Sequence, residues 1–174
     1  IDAQVEQLAH EQIAIRRHLH AHPEPSGEET QTACYIRQRL STAGLDARLL
    51  RNDRGLETGV VADLALGQPP ADAPLIALRA DIDALRVPDE KTVEYRSLRS
   101  DVAHACGHDA HTSVVLGAAL AGAGVDRNGG EFPAGSGARL RFLFQPAEET
   151  SEGARWLVAQ GAMEGVDAVL GLHV

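Results

Sequence analysis

Between His104 and His111 the chain reads HACGHDAH, three histidines, one cysteine and one aspartate within eight residues. A thiolate and neutral imidazoles are borderline-soft donors that suit zinc and accept other divalent transition metals. Gly107, between Cys106 and His108, gives the backbone freedom to turn two neighbouring donors toward one ion. Taken singly, such residues are more often a buried thiol and solvated imidazoles, so it is their density that points to a metal. Glu148-Glu149 forms a second cluster. Two adjacent carboxylates stay ionised together beside a cation; otherwise one pKa rises. A metal answers this, with one Glu as ligand and its neighbour as general base toward metal-activated water. An acidic pair alone is commonly a solvated turn, and the His/Cys block reverses that balance. Asp81 and Asp83 alternate, so in a continuing strand both face one side. One is a candidate ligand, and the other could orient an imidazole or tune the base. His173, alone in an apolar strand, reads by itself as a core histidine.

These clusters follow apolar runs, and that placement implies a scaffold. Leu75 to Leu78 is a continuous apolar run of the kind buried on both faces of a sheet, and Asp81 and Asp83 come just after it. Arg139 to Phe144 reads as a strand leading to Glu148-Glu149, and Ala168 to Leu172 as a last strand before His173. Further β-like stretches are Ala47 to Leu50 and Gly59 to Leu66. Amphipathic helices are predicted over Asp2–Ala21, stopped by Pro23 and Pro25, and over Glu28–Ala43, closed by Gly44. The small apolar residues from Asp109 to Gly122 predict a helix packed closely under a sheet, and Gly153 to Gln160 a short helix with Trp156 in the core. Asp126 to Gly137 reads as a Gly-rich surface loop. Cys34 reads as a small buried hydrophobe, and His18, His20 and His22 as structural or rim residues. Strands alternating with helices predict an α/β domain: a mixed, largely parallel sheet flanked by helices. In such a sheet, clusters at the carboxyl ends of parallel strands meet on one edge.

Length and composition narrow the function. The 174 residues suffice for one domain with a sizeable core, and 44% apolar content excludes wholesale disorder. Sixteen basic against 25 acidic residues give a net charge of −9, which argues against nucleic acid and anionic membranes as partners. No apolar run reaches the ~18 residues of a membrane span. Two cysteines exclude a disulfide scaffold, and the absence of a visible secretory signal leads to a cytoplasmic expectation. The start at Ile1 and the strand-like end suggest a piece of a longer protein.

With those residues in view, the chain resembles the zinc-aminoacylase and carboxypeptidase amidohydrolases. The resemblance is to the branch of hippurate hydrolases, N-acyl-amino-acid amidohydrolases and auxin-conjugate hydrolases. It is carried in order by RRHLHAHPEPSGEE (Arg16–Glu29), ALRADIDAL (Ala77–Leu85), HACGHDAH, FQPAEE (Phe144–Glu149), Gly161-Ala162 and GLHV (Gly171–Val174). It implies a phosphorylase/hydrolase-like, aminopeptidase-type catalytic domain, here incomplete. Cys106, His108, Glu149 and His173 fall on metal-ligand positions, and Glu148 on the general base. Asp83 falls on a supporting aspartate with Asp81 a close competitor; Asp109, His111 and His104 are further candidates around the ions. Two divalent ions per full-length subunit are implied, zinc first, with Mn, Co or Ni open. The implied reaction is hydrolysis of the amide of N-acyl amino acids, in a parent that forms a homodimer. Residues 1–174 would then be the N-terminal portion of the catalytic domain, without the inserted dimerisation and lid domain or the C-terminal completion that supplies a last His ligand. One departure is Arg86 where relatives usually have proline. The segment alone is expected to be weak or inactive. The competing readings are a non-catalytic metal-binding or regulatory relative, against which the retained Glu148 speaks, and a glycosidase, which leaves Cys106 and His108 without a purpose.

Overall fold

A computed structural model describes residues 2–127, 132–133 and 135–174. The elements run α1 (Asp2–Ala21), α2 (Thr30–Thr42), β1 (Ala47–Arg51), β2 (Glu57–Gly67), β3 (Leu75–Asp81), α3 (His108–Arg127), β4 (Gly137–Gln145), α4 (Gly153–Ala159) and β5 (Ala168–Gly171). The five strands form one sheet in the order β1-β2-β4-β3-β5. β1 and β2, and β2 and β4, pair antiparallel, whereas β3 pairs in parallel with both β4 and β5. The sheet is therefore mixed, and its parallel members are the three strands that lead into the polar clusters. Asp81 pairs with Gln145 and Arg79 with Gly171, so these three strands point their carboxyl ends the same way.

Strand alternation divides the core in two. Val60, Ala62, Phe142 and Phe144 face α1, α2 and α3, against Ile15, Leu19, Ile36, Leu40, Leu116 and Leu120. Their neighbours Val61 and Leu143 face the other side and pack with Leu50, Ala77, Leu157 and Ala162 under α4. The small-residue character of α3 has a steric cause: a Cβ added at Gly122 would stand 2.8 Å from Leu64 of β2.

Two expectations about α2 are corrected. Cys34 is exposed, because the buried stripe of the helix is Thr32, Ala33, Ile36 and Leu40 and leaves Cys34 outside it. The helix begins at Thr30 and not at Glu28, because Glu29 turns its side chain into the protein and makes no capping bond. Glu24 caps from outside instead, its carboxylate accepting the N–H groups of Gln31 (3.2 Å) and Thr32 (2.8 Å). At the other end, Gly44 adopts φ +85 and closes the helix as the sequence predicts. α3 also runs further than expected, to Arg127; much of the Gly-rich loop after it lies outside the described residues. No described helix is long and apolar enough to cross a membrane.

Candidate metal centre

The carboxyl end of β3 supplies two buried aspartates with separate tasks. Asp81 accepts from Arg79 (2.7 Å) through one oxygen and from His111 Nδ1 (2.5 Å) through the other. Asp83 Oδ2 accepts from the Ser26 hydroxyl (2.6 Å) and from the Glu149 backbone N–H (3.1 Å). His108, the first residue of α3, donates Nδ1–H to the Asp83 carbonyl at 2.9 Å and lies 3.1 Å from its Oδ1. That bond places the remaining lone pair on Nε2.

Nε2 of His108 is buried and has no hydrogen-bond partner. Around it stand Asp81 Oδ1 at 3.6 Å, Glu149 Oε1 at 3.7 Å and Glu148 Oε2 at 3.8 Å. Cys106, His108 and Glu149 form one group of donors, and Asp81, His108 and His111 another; within each the donor atoms lie within 4.8 Å of one another. Gly107 adopts φ +81, which lets Cys106 and His108 turn to the same place. Burial would lower the His108 pKa, but its bond to Asp83 and the Asp81 and Asp83 charges hold it above its ordinary value. Burial, then the bond and charge of Glu149, push the Cys106 thiol up to about 11. Burial also works against ionised Asp83, yet the hydrogen bonds from His108, Ser26 and Glu149 keep its pKa below the ordinary value. A thiol, an orphaned imidazole nitrogen and the carboxylates of Asp81 and Glu149, in two groups that share His108, suit divalent cations, which would stabilise the thiolate as well as the acids.

The other predicted residues divide. His173 is exposed and not a core histidine; its ring lies 5.1 Å from that of His111, which brings it to the edge of the cluster. His111 is fully buried, and its Nε2 accepts the Val174 N–H (3.0 Å) while Nδ1 donates to Asp81. Asp109 turns away from the donors, accepting from His20 Nδ1 (2.8 Å) and Arg16 Nε (3.3 Å) and so tying α1 to the start of α3. His104 is buried with neither ring nitrogen partnered, and burial pulls its pKa down to about 4. It lies beside His20 and outside both donor groups. His18 and His22 stack on one another, His18 also on Tyr35.

Sequence reasoning missed Glu29 and Ala147. Glu29 is fully buried, and its Oε1 accepts the N–H groups of Gly27 and Ala147, each at 2.8 Å. Burial pushes its pKa up to about 7 although those N–H donors pull it down. Ala147 adopts φ +48, a conformation that residues with a Cβ seldom take. Nothing in the local pattern around QPAEE signals that strain; the acidic pair Glu28-Glu29 before an apolar helix was the one visible hint.

A sequence profile of the peptidase family M20/M25/M40 matches residues 77–174, more than half of the chain. The chain belongs to this family. The N-acetyl-L-cysteine deacetylase of Bacillus subtilis is 43% identical over 161 residues, covering 92% of this chain and 35% of the deacetylase. An N-acyl-L-amino acid amidohydrolase of Geobacillus stearothermophilus is 42% identical over 172 residues, covering 98% of this chain and 42% of that enzyme. Among solved structures, the Bacillus subtilis YXEP protein, a dinuclear metal binding peptidase from the M20 family, superposes with a TM-score of 0.80 at 35% identity. That match covers 97% of this chain and 43% of the other. The α/β fold of this M20 member is thus that of its relatives, while the chain spans well under half their length.

Proposed function

We propose that the full-length protein is a metal-dependent amidohydrolase that cleaves the amide bond of N-acyl amino acids. The observation that carries this reading is the buried, unpartnered Nε2 of His108, facing one thiol and three carboxylates. The names of the Bacillus and Geobacillus relatives support the substrate class.

Cys106, His108, Glu149 and His173 would hold the ions, zinc first on the strength of the thiolate and imidazoles, with Mn, Co or Ni as alternatives. Bound divalent ions supply Lewis acidity, acidifying water and polarising a carbonyl. The chain's own residues supply the rest. Glu148 is half-exposed, with Oε2 3.8 Å from His108 Nε2. As general base it takes the proton of the attacking water and returns it to the leaving amine nitrogen. Asp83 holds the His108 ring with Nε2 inward, and through the Glu149 N–H it holds the acidic turn against the same ring. Asp81 holds His111, and with it the segment that carries His173.

We further propose that residues 1–174 are the N-terminal portion of the catalytic domain, completed by later sequence with a dimerising inserted domain and a last ligand. The short span against the relatives and the exposed Val169 and Leu170 of edge strand β5 support this. A reducing, cytoplasmic setting suits the two free thiols.

The test is hydrolysis of a panel of N-acyl amino acids by the full-length protein and its Glu148→Gln variant. Turnover in the parent that falls by about 100-fold or more in the variant, with metal retained, supports the reading. A fully metal-loaded parent with no turnover on the panel overturns it.

A further inference from the structure

Two carboxylates fasten the same pair of loops together. Asp83 Oδ2 takes the Ser26 hydroxyl and the Glu149 N–H. Beside it, Glu29 Oε1 takes the Gly27 N–H and the Ala147 N–H, the latter across 118 residues of chain. The first clamp belongs to the centre described above. The second lies behind it, and the hydrolytic reading assigns it no task.

The Ala147 end of this clamp lies where the backbone is least comfortable. Ala147 at φ +48 and Ser151 at φ +59 flank Glu148-Glu149, so the acidic pair rides on a turn with two left-handed non-glycine residues. The Ala147 carbonyl is held by the N–H groups of Glu152 and Gly153 at 3.2 Å, and the Glu148 carbonyl by Ser151 N–H at 2.8 Å. Those bonds are internal to the turn. The Ala147 N–H is different: it fixes the turn to the rest of the protein, and Glu29 is its acceptor. The Glu29 carbonyl accepts the Ala33 N–H (2.9 Å), but its side chain makes no bond at the start of α2, where a capping side chain at its position would be useful. A carboxylate withdrawn from its own helix end and fully buried against a strained backbone two residues from Glu149 has a positional role.

We propose that Glu29 is a positioning residue for the candidate catalytic turn: by accepting the Ala147 and Gly27 N–H groups it holds the left-handed Ala147 in place and so sets where Glu148 and Glu149 stand relative to His108. It acts through the backbone and touches neither ion nor substrate. The inference rests on the hydrolase reading above, and its test has a readout that does not need turnover.

Metal-free full-length protein is titrated with Co(II), following the visible thiolate–cobalt absorption, for the wild type, Glu29→Gln, Glu29→Asp and Glu29→Ala. Thermal melts report which variants fold. Gln keeps an acceptor oxygen at the same reach, whereas Asp, one methylene shorter, cannot serve both amides. The expected result is Co(II) affinity within about threefold of wild type for Glu29→Gln, and a loss of about 10- to 100-fold for Glu29→Asp, the range for groups that orient metal ligands. Glu29→Ala, where folded, falls at least as far. In turnover, kcat falls by a similar factor with KM little changed, because the turn carries the base. Folded Asp or Ala variants with wild-type cobalt affinity and spectrum overturn the proposal, as does a Gln variant as impaired as Asp. Failure of the wild type itself to take up cobalt would instead overturn the metal reading.

Discussion

His108 is the residue on which most of the site's chemistry turns, because one nitrogen is fixed and the other is free. The Asp83 carbonyl fixes the ring, and the Asp83 carboxylate, 3.1 Å from the same Nδ1, ties Ser26 and the Glu149 turn around it. Asp83→Asn, which disturbs the bonds to Ser26 and Glu149, is expected to lower metal affinity about 10- to 100-fold, read by titration of the metal-free protein. Glu29 permits a prediction of opposite character. Its folded pKa of about 7 lies above the ordinary 4.5, so the folded state binds the extra proton between those values. Stability is therefore fully present below pH 4.5 and lost as pH rises through about 7, by on the order of 3 kcal/mol for the bare carboxylate. In denaturant melts of metal-free protein from pH 4.5 to 8, the wild type is expected to lose stability with rising pH relative to Glu29→Gln, the opposing contribution of buried His104 being common to both. Parallel pH profiles for the two proteins would contradict it.

The elements explain why these residues meet. β3, β4 and β5 run parallel, and Asp81, Gln145 and Gly171 end them side by side, so the sequences just beyond converge. Leu116 packs α3 against the sheet that carries those ends, and is fully buried. Leu116→Ala is predicted to cost about 2–5 kcal/mol in urea unfolding and to loosen the His108 end of α3. Gly107→Ala forces a Cβ into φ +81 and toward Val174, 3.2 Å away. It is expected to weaken metal binding more than stability. Part of this was legible in the sequence: the apolar run Leu75–Leu78 lies in strand β3, and the density of donors from His104 to His111 contributes to two groups that could hold a metal. What was not legible depends on partners distant in sequence. The inward turn of Glu29 is made by an amide 118 residues away. Cys34 looked apolar in its window, yet the sheet takes up the stripe through Ala33 and Ile36 and leaves the thiol outside. Taken alone His173 reads as a core residue, but it follows β5 at the edge of the sheet and is exposed, which a short apolar stretch does not reveal.

At the scale of the whole molecule, the sheet ends on β5, whose Val169 and Leu170 are exposed although both are apolar. The chain covers 35–42% of the Bacillus and Geobacillus relatives. Two donor groups share His108 in the present segment, while His173 stands at their margin. On the division proposed above, in which later sequence supplies a last ligand, residues 1–174 alone are predicted to bind metal more weakly than the full-length protein and to hydrolyse N-acyl amino acids at least about 100-fold more slowly. Parent-like turnover by residues 1–174 alone would contradict that division. The central claim, that Cys106, His108 and Glu149 face a divalent ion, is tested most directly by elemental analysis. The full-length protein is purified without chelators or a metal-binding tag, as wild type and as Cys106→Ala. Transition metal near stoichiometric with the chain is expected in the wild type, and a marked loss in the variant. A folded wild type without metal, or a variant that retains all of it, would rule out these three residues as the ligands.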